Sequence, residues 1–184
     1  YIDSEQWWKV GDIMSEIRVD AIKTRAGNVP KASDVGLNVS GTVLQVVSST
    51  TNTPKSIASS SFVTTDHSVT ITPTSTSSTI LLTVMGGHAW NGNNVNKVRC
   101  FTIYRGSTDL GHGDAGVWTH YCNAFNAQPH AGSIVDSPNT TSATTYTVYA
   151  RGQDTSTHYY AVDIGGTGTD DVAAVTLTAM EIAG

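Results

Sequence analysis

The sequence predicts an all-β protein, an antiparallel β-sandwich of jelly-roll type preceded by an extended N-terminal arm. Three observations carry that expectation. Ser and Thr number 46 of the 184 residues, while charged residues are only 14% and hydrophobic residues 39%. Disordered chains are normally rich in charge, so a hydroxyl-rich chain with this apolar share reads as a folded sheet whose wet face carries hydroxyls. Short β-branched and aromatic runs recur at roughly 8 to 12 residue spacing with turn residues between them, the signature of a sandwich or barrel. No segment shows a convincing helical period, and no fixed repeat points to a propeller or solenoid.

The elements follow in order. Residues 1 to 40 read as an arm and 41 to 184 as one head domain. Within the arm, SEIRVDAIKTR (15 to 25) alternates, with Ile17, Val19 and Ala21 on one face and Arg18, Asp20, Ile22 and Thr24 on the other. A turn follows at AGNVP, where Gly27 and Asn28 tolerate positive φ and Pro30 removes a ladder donor. The head opens on the β-branched run GTVLQVVSS (41 to 49), and residues 48 to 60 read as a loop or edge segment. In SFVTTDHSVTITP, Val63, Val69 and Ile71 alternate with Thr64, Ser68, Thr70 and Thr72, which predicts a half-buried strand with one wet face. Pro73 ends that strand, and TSTSS (74 to 78) is the turn. TILLTVMGGHAW (79 to 90) is apolar on both faces, as a central strand requires. Further strands are expected at 96–107, 117–125, 132–138, 144–154, 158–166 and 171–183. In the fourth of these, Tyr146, Val148 and Ala150 share a face opposite Thr147, Tyr149 and Arg151.

Charge and composition narrow the partners. The net charge is -5 and the ten Lys and Arg are scattered, so no nucleic-acid or anionic-membrane surface is expected. No run of 18 apolar residues and no export-signal pattern is present, so membrane insertion is not expected. The chain opens on Tyr1 rather than Met, which leaves location weakly constrained by the N-terminus. Cys100 and Cys122 fall in predicted strands and are expected to be buried free thiols, because nothing else suggests a disulfide scaffold.

Four blocks, in this order and at these separations, carry a resemblance: SSSFVTTDHSVTITPTSTSSTILLTV, FTIYRGSTDLG, SIVDSPNTTSATTYTVYARGQ and the terminal VTLTAMEIAG. They resemble a domain found at the ends of tail fibres and in other structural proteins of bacteriophages, many of them marine or cyanobacterial. The lead-in MSEIRVDAIKTRAGNVPKASDVGLNVSGTVLQVV is similar to the N-terminal part of such proteins, with Met14 where several begin. The likeness spans about residues 14 to 184 and leaves YIDSEQWWKVGDI outside it. It implies a virion component exposed on the particle surface, a homotrimer with a β-sandwich head that touches the host or decorates the particle, and no transferable catalytic motif. Its partners would be further copies of itself and, through the arm, other virion proteins.

The chemistry-bearing residues fit a protein without a reaction centre. His112, Asp114, His120 and His130 could converge, but no HExxH, no CxxC and no paired His at short spacing exists, so no metal is expected. DIGGTGTDD (163 to 171) offers three Asp among flexible glycines, yet it matches no calcium-loop spacing, and its GTG precedes no helix that would bind a phosphate. With no GxSxG and no carboxylate pair placed across a cleft, neither an enzyme nor a cofactor is expected. Trp90 in GHAWNGNN and Trp118 in GVWTHYC, with His120 and Tyr121 alongside, lie near Asn- and Gly-rich loops. They have two readings, a stacking platform for a host surface glycan or part of the core or an intersubunit contact. Trp7 and Trp8 are adjacent, and successive strand side chains point to opposite faces, so at least one should meet another chain. The expected function is a non-enzymatic phage structural protein, a trimeric fibre or appendage component contributing to host attachment. The alternatives are a carbohydrate-binding adhesin tip and a head-decoration or fibre-building protein with no ligand.

Overall fold

The chain divides into two units, Tyr1–Asn38 and Val39–Gly184. A computed structural model describes residues 40–91, 97–122, 128–162 and 173–184, all within the second unit. The strand expected at 15–25, the tryptophans Trp7 and Trp8 and the DIGGTGTDD segment lie outside the described residues.

Among the described residues there are eleven strands and no helix: β1 (Val43–Thr51), β2 (Lys55–Ile57), β3 (Val63–Ile71), β4 (Thr79–Asn91), β5 (Lys97–Arg105), β6 (Thr108–Asp109), β7 (Trp118–Cys122), β8 (Gln128–Asp136), β9 (Thr144–Gly152), β10 (His158–Val162) and β11 (Val175–Ile182). They form two antiparallel sheets. The larger has the order β1-β11-β4-β10-β2 with β8 on the other flank of β4, and the smaller has the order β3-β9-β5-β6 with β7 also paired to β5. The protein is therefore all-β and antiparallel.

Alternation accounts for most of the faces. Along β3, Thr65, His67, Val69 and Ile71 are buried while Asp66, Ser68 and Thr70 are exposed, so hydroxyls do line the wet side. Val63 departs from its expected inward place and is 37% exposed. It pairs with the buried Ala150 at the very start of the strand, and the bulge that follows between Thr64 and Ser68, where Asp66 takes φ 63°, inserts two residues and so leaves the alternation of faces unchanged. Along β9, Tyr146, Val148 and Ala150 are buried and Thr145 opposite them is exposed. The stretch 48–60 divides: β1 continues to Thr51, and Lys55–Ile57 forms a short edge strand on β10 that sinks Ile57 into the core. Strand β8 starts four residues before the expected 132, because its ladder with β4 runs on past Gly86 to Ala89↔Gln128.

β4 is where the larger sheet curls. Its first half pairs with β11 up to Val175↔Gly86, and its second half pairs with β10 from Val162↔His88 onward. Gly86 and Gly87 at this exchange have φ 94° and 49°, and a Cβ on Gly87 would strike the Val175 side chain. Two glycines let the strand bend and change neighbours without a steric penalty.

The core lies between the sheets, with Ile80, Leu82, Val84 and Leu177 from the larger meeting Phe101, Ile103, Tyr146 and Val148 from the smaller. Three polar links stand out, of which the first and third join the two sheets. The Asp136 carboxylate of β8 accepts from Arg105 of β5 at 2.9 Å and from the Tyr146 hydroxyl of β9 at 2.7 Å. Glu181 of β11, fully buried, accepts from the Thr74 backbone N–H and hydroxyl at 2.7 and 2.8 Å and from the Gln45 amide, which ties down the turn after β3. Burial alone would raise the Glu181 pKa, but the donors from Gln45 and Thr74 outweigh it and hold the carboxyl below its ordinary value. The third link runs through His67 and belongs to the cluster described next.

Candidate functional site

The ladders bring the sequence-predicted residues to one end of the domain. Phe101 of β5 pairs with Trp118, Arg99 with His120, and Val98 with Tyr121, while Trp90 at the end of β4 pairs with Tyr159 and its neighbour Ala89 with Gln128. The period-2 geometry of β7 then divides the set. Trp118 and His120 are buried, 9% and 7% exposed, whereas Tyr121 is 54% exposed on the outer side of the smaller sheet. Of the two readings of Trp118, the structure takes the interior one. Its indole stacks on Phe101 at 5.5 Å and 14°, and its N–H donates to His130 Nδ1 at 3.4 Å. The room for it comes from Gly132, where a Cβ would run into the indole ring. Replacing Gly132 with Val should therefore overpack the core and cost about 2 kcal/mol or more, which urea melts followed by circular dichroism would detect.

Phe101 is the hub of a buried histidine cluster, in which His120 and His130 converge with their rings 5.3 Å apart, as the sequence allowed, and which His67 and His158 join without a sequence signal. His130 meets its edge at 4.7 Å, His120 at 5.3 Å and His158 at 6.5 Å, while Tyr160 lies tilted at 6.2 Å. His67 bridges the sheets: its Nε2 lies 2.9 Å from the Ser49 carbonyl and its Nδ1 2.8 Å from the Tyr160 hydroxyl. A carbonyl only accepts, so Nε2 carries the proton of the neutral ring and Nδ1 accepts from Tyr160. By the same logic His120 Nδ1 donates to Gln128 Oε1 at 3.1 Å, an oxygen that also accepts the Tyr121 N–H.

Burial dominates the electrostatics. It lowers the pKa of His67 and His120, takes His130 well below 6.5, and brings His158, beside the buried Arg99 guanidinium, down to about 4. Arg99 is fully buried and donates to Ser156 at 2.8 Å, and it fills the space left by the missing side chain of Gly152. The four histidines are thus neutral at pH 7 and act as packed core residues, three of which, His67, His120 and His130, hydrogen-bond through their rings. His112 sits apart in an exposed turn, where its Nδ1 accepts from the backbone N–H groups of Asp114 and Ala115. Among the described residues no group of three or more His, Cys, Asp or Glu is placed to hold a metal ion. Cys100 and Cys122 are both buried and free. Cys122 points into the core toward the Ala89 carbonyl, and burial pushes its thiol up to about 11, far from a reactive thiolate.

The second notable surface is the outer face of the larger sheet, where the four ladders align residues of one kind into rows. Val46, Met180, Leu81 and Val135 face outward side by side across β1, β11, β4 and β8, and the next row is Ser48, Thr178, Thr83 and Ser133. Val46, Met85 and Val135 are each more than half exposed. No protein-family model matches the chain, and none of the curated proteins matches it.

Proposed function

We propose that this chain is a structural protein of a bacteriophage virion, a trimeric fibre or appendage component on the particle surface that contributes to host attachment. In this reading residues 1–40 are the attachment arm, with Trp7 and Trp8 meeting a neighbouring chain, and residues 41–184 are a jelly-roll-like β-sandwich head. The observation that carries the reading is where the resembling blocks fall. They cover, in chain order, β3 with β4, β5 with β6, β8 with β9, and β11. These are strands and connections of a single β domain whose interior is closed by packed aromatics and neutral histidines. Close packing of this kind suits a scaffold.

Sedimentation equilibrium of the full chain tests the assembly: three times the 19.4 kDa chain mass is expected, and a monodisperse monomer would count against it. Antibody labelling of virions by electron microscopy tests the location, with label on fibres or tail appendages expected. Regular label over the capsid would move the reading to head decoration.

One observation favours the adhesin variant. The Tyr121 ring is more than half exposed on the outer side of the smaller sheet, an aromatic face open to solvent. An exposed aromatic face can stack on a sugar ring. Glycan-array binding abolished by Tyr121→Ala would establish it, and no binding by the intact chain would leave Tyr121 an ordinary surface residue.

A further inference from the structure

We infer that the outer face of β1, β11, β4 and β8 is the surface by which one copy of this chain binds a second copy. The inference rests on the oligomeric reading above and names the face that serves it.

The face carries no charged residue in three successive rows. The apolar row of Val46, Met180, Leu81 and Val135 is followed by the hydroxyl row of Ser48, Thr178, Thr83 and Ser133, and then by Thr50, Thr176, Met85 and Ala131. The solvated side of an antiparallel sheet is ordinarily polar. Here seven of those twelve positions would meet solvent as hydroxyl or alanine and the rest as Val, Leu or Met. The smaller sheet is different, because its outer side carries Asp66 and Arg151 among its hydroxyls.

Three arguments single out a copy of the same chain as the occupant. Each chain carries a net charge of -5, so copies repel, and they approach with least repulsion where both faces are free of charge. A Ser or Thr hydroxyl is both donor and acceptor, so a hydroxyl row is complementary to an identical row presented by symmetry. Thr50 and Thr176 already pair in this way across the ladder, at 2.9 Å. The extent is the third: four strands at about 4.8 Å spacing and the five residues that three rows span at about 3.4 Å outline a plane of roughly 330 Å², the uncharged centre of an interface of roughly 800 Å² per partner.

The test uses the full chain and two isosteric substitutions. Ser133→Cys places a thiol in the hydroxyl row, and Ser68→Cys places one on the exposed outer side of the smaller sheet, while the native Cys100 and Cys122 stay buried. At concentrations where the protein sediments as an oligomer, maleimide should label Ser133→Cys at least tenfold more slowly than Ser68→Cys, and dilution should abolish the difference. The double variant Val46→Asp with Val135→Asp should sediment at a smaller mass with an unchanged circular dichroism spectrum. An oligomer in which Ser133→Cys reacts as fast as Ser68→Cys would overturn the inference and leave the oligomeric reading standing. A wild-type chain that stays monomeric at every concentration would overturn both.

Discussion

Acidification from about pH 7 to about pH 4 should remove several kcal/mol of stability from the β domain, with the steepest loss below about pH 6.5. The groups responsible are His67, His120, His130 and His158, all of which lie below their ordinary value in the folded protein. A histidine whose folded pKa is depressed binds more protons when unfolded. Its contribution is therefore complete above 6.5 and is lost as the pH falls toward the folded value. For His158 the drop to about 4 corresponds to about 3 kcal/mol, and the other three act in the same direction. The groups facing His158 divide: the Arg99 guanidinium disfavours its cation and Asp154 favours it, but burial outweighs both. The carboxylates Asp66 and Glu181 also lie below their ordinary values, and they extend the loss to pH values below their unfolded range near 4. Urea midpoints measured by circular dichroism at half-unit pH steps should fall steadily through this window. A midpoint constant between about pH 7 and about pH 4.5 would show that the cluster is hydrated or already charged in the folded state. His158→Phe, if it folds, should flatten the curve. A variant whose pH slope equals that of the wild type would remove His158 from the account.

How much of this was legible in the sequence depends on what each feature needs. Alternation is local, so the wet face of β3 and the buried Tyr146, Val148 and Ala150 of β9 could be read directly. Bulges are not local in that sense. Asp66 with φ 63° and the Gly86 and Gly87 bend shift the register or the neighbours of their strands, and nothing in their residue types distinguishes them from ordinary turn formers. The same limit explains β7. Trp118, His120 and Tyr121 are neighbours in sequence, and a reading that groups them by proximity must fail when strand parity sends the third outward. The histidines were expected as ordinary loop and strand residues. Four of them occupy inward positions, and only pairing across β3, β7, β8 and β10 makes one cluster of them. The uncharged rows on the larger sheet arise the same way: each strand shows which residues point outward, but only the register puts Val46 beside Met180, Leu81 and Val135. The alternating runs TILLTVM and VTLTAMEI did carry a signal, because both leave Leu or Met at outward positions of strands whose inward positions are already apolar.

Replacing Asp136 with Ala should lower stability by about 3 kcal/mol, which for a chain of this size moves the melting temperature down by roughly 6 to 12 °C. Asp136 is the only described group that accepts from the Tyr146 hydroxyl, and Tyr146 is fully buried in the core. Burial, reinforced by the neighbouring carboxylate, pushes the phenol well above its ordinary value, so at any usable pH it remains a donor in need of an acceptor. Removing the carboxylate strands that donor and also frees Arg105, which otherwise bonds both Asp136 oxygens at 2.9 Å and reaches the Ser137 carbonyl at 3.3 Å. Arg105 is about one-third exposed and water can serve it, which is why the expected loss sits at the lower end of the range for breaking a buried pair. Tyr146→Phe makes the separation: it deletes the hydroxyl and leaves the Arg105 and Asp136 pair intact, so it should cost only about 1 kcal/mol. Because β8 belongs to one sheet and β5 and β9 to the other, the larger loss measures how firmly this triad clamps the two layers at the connection between β8 and β9. If Asp136→Ala melts within about 2 °C of the wild type, the layers are held there by apolar packing alone and the triad is incidental to the fold.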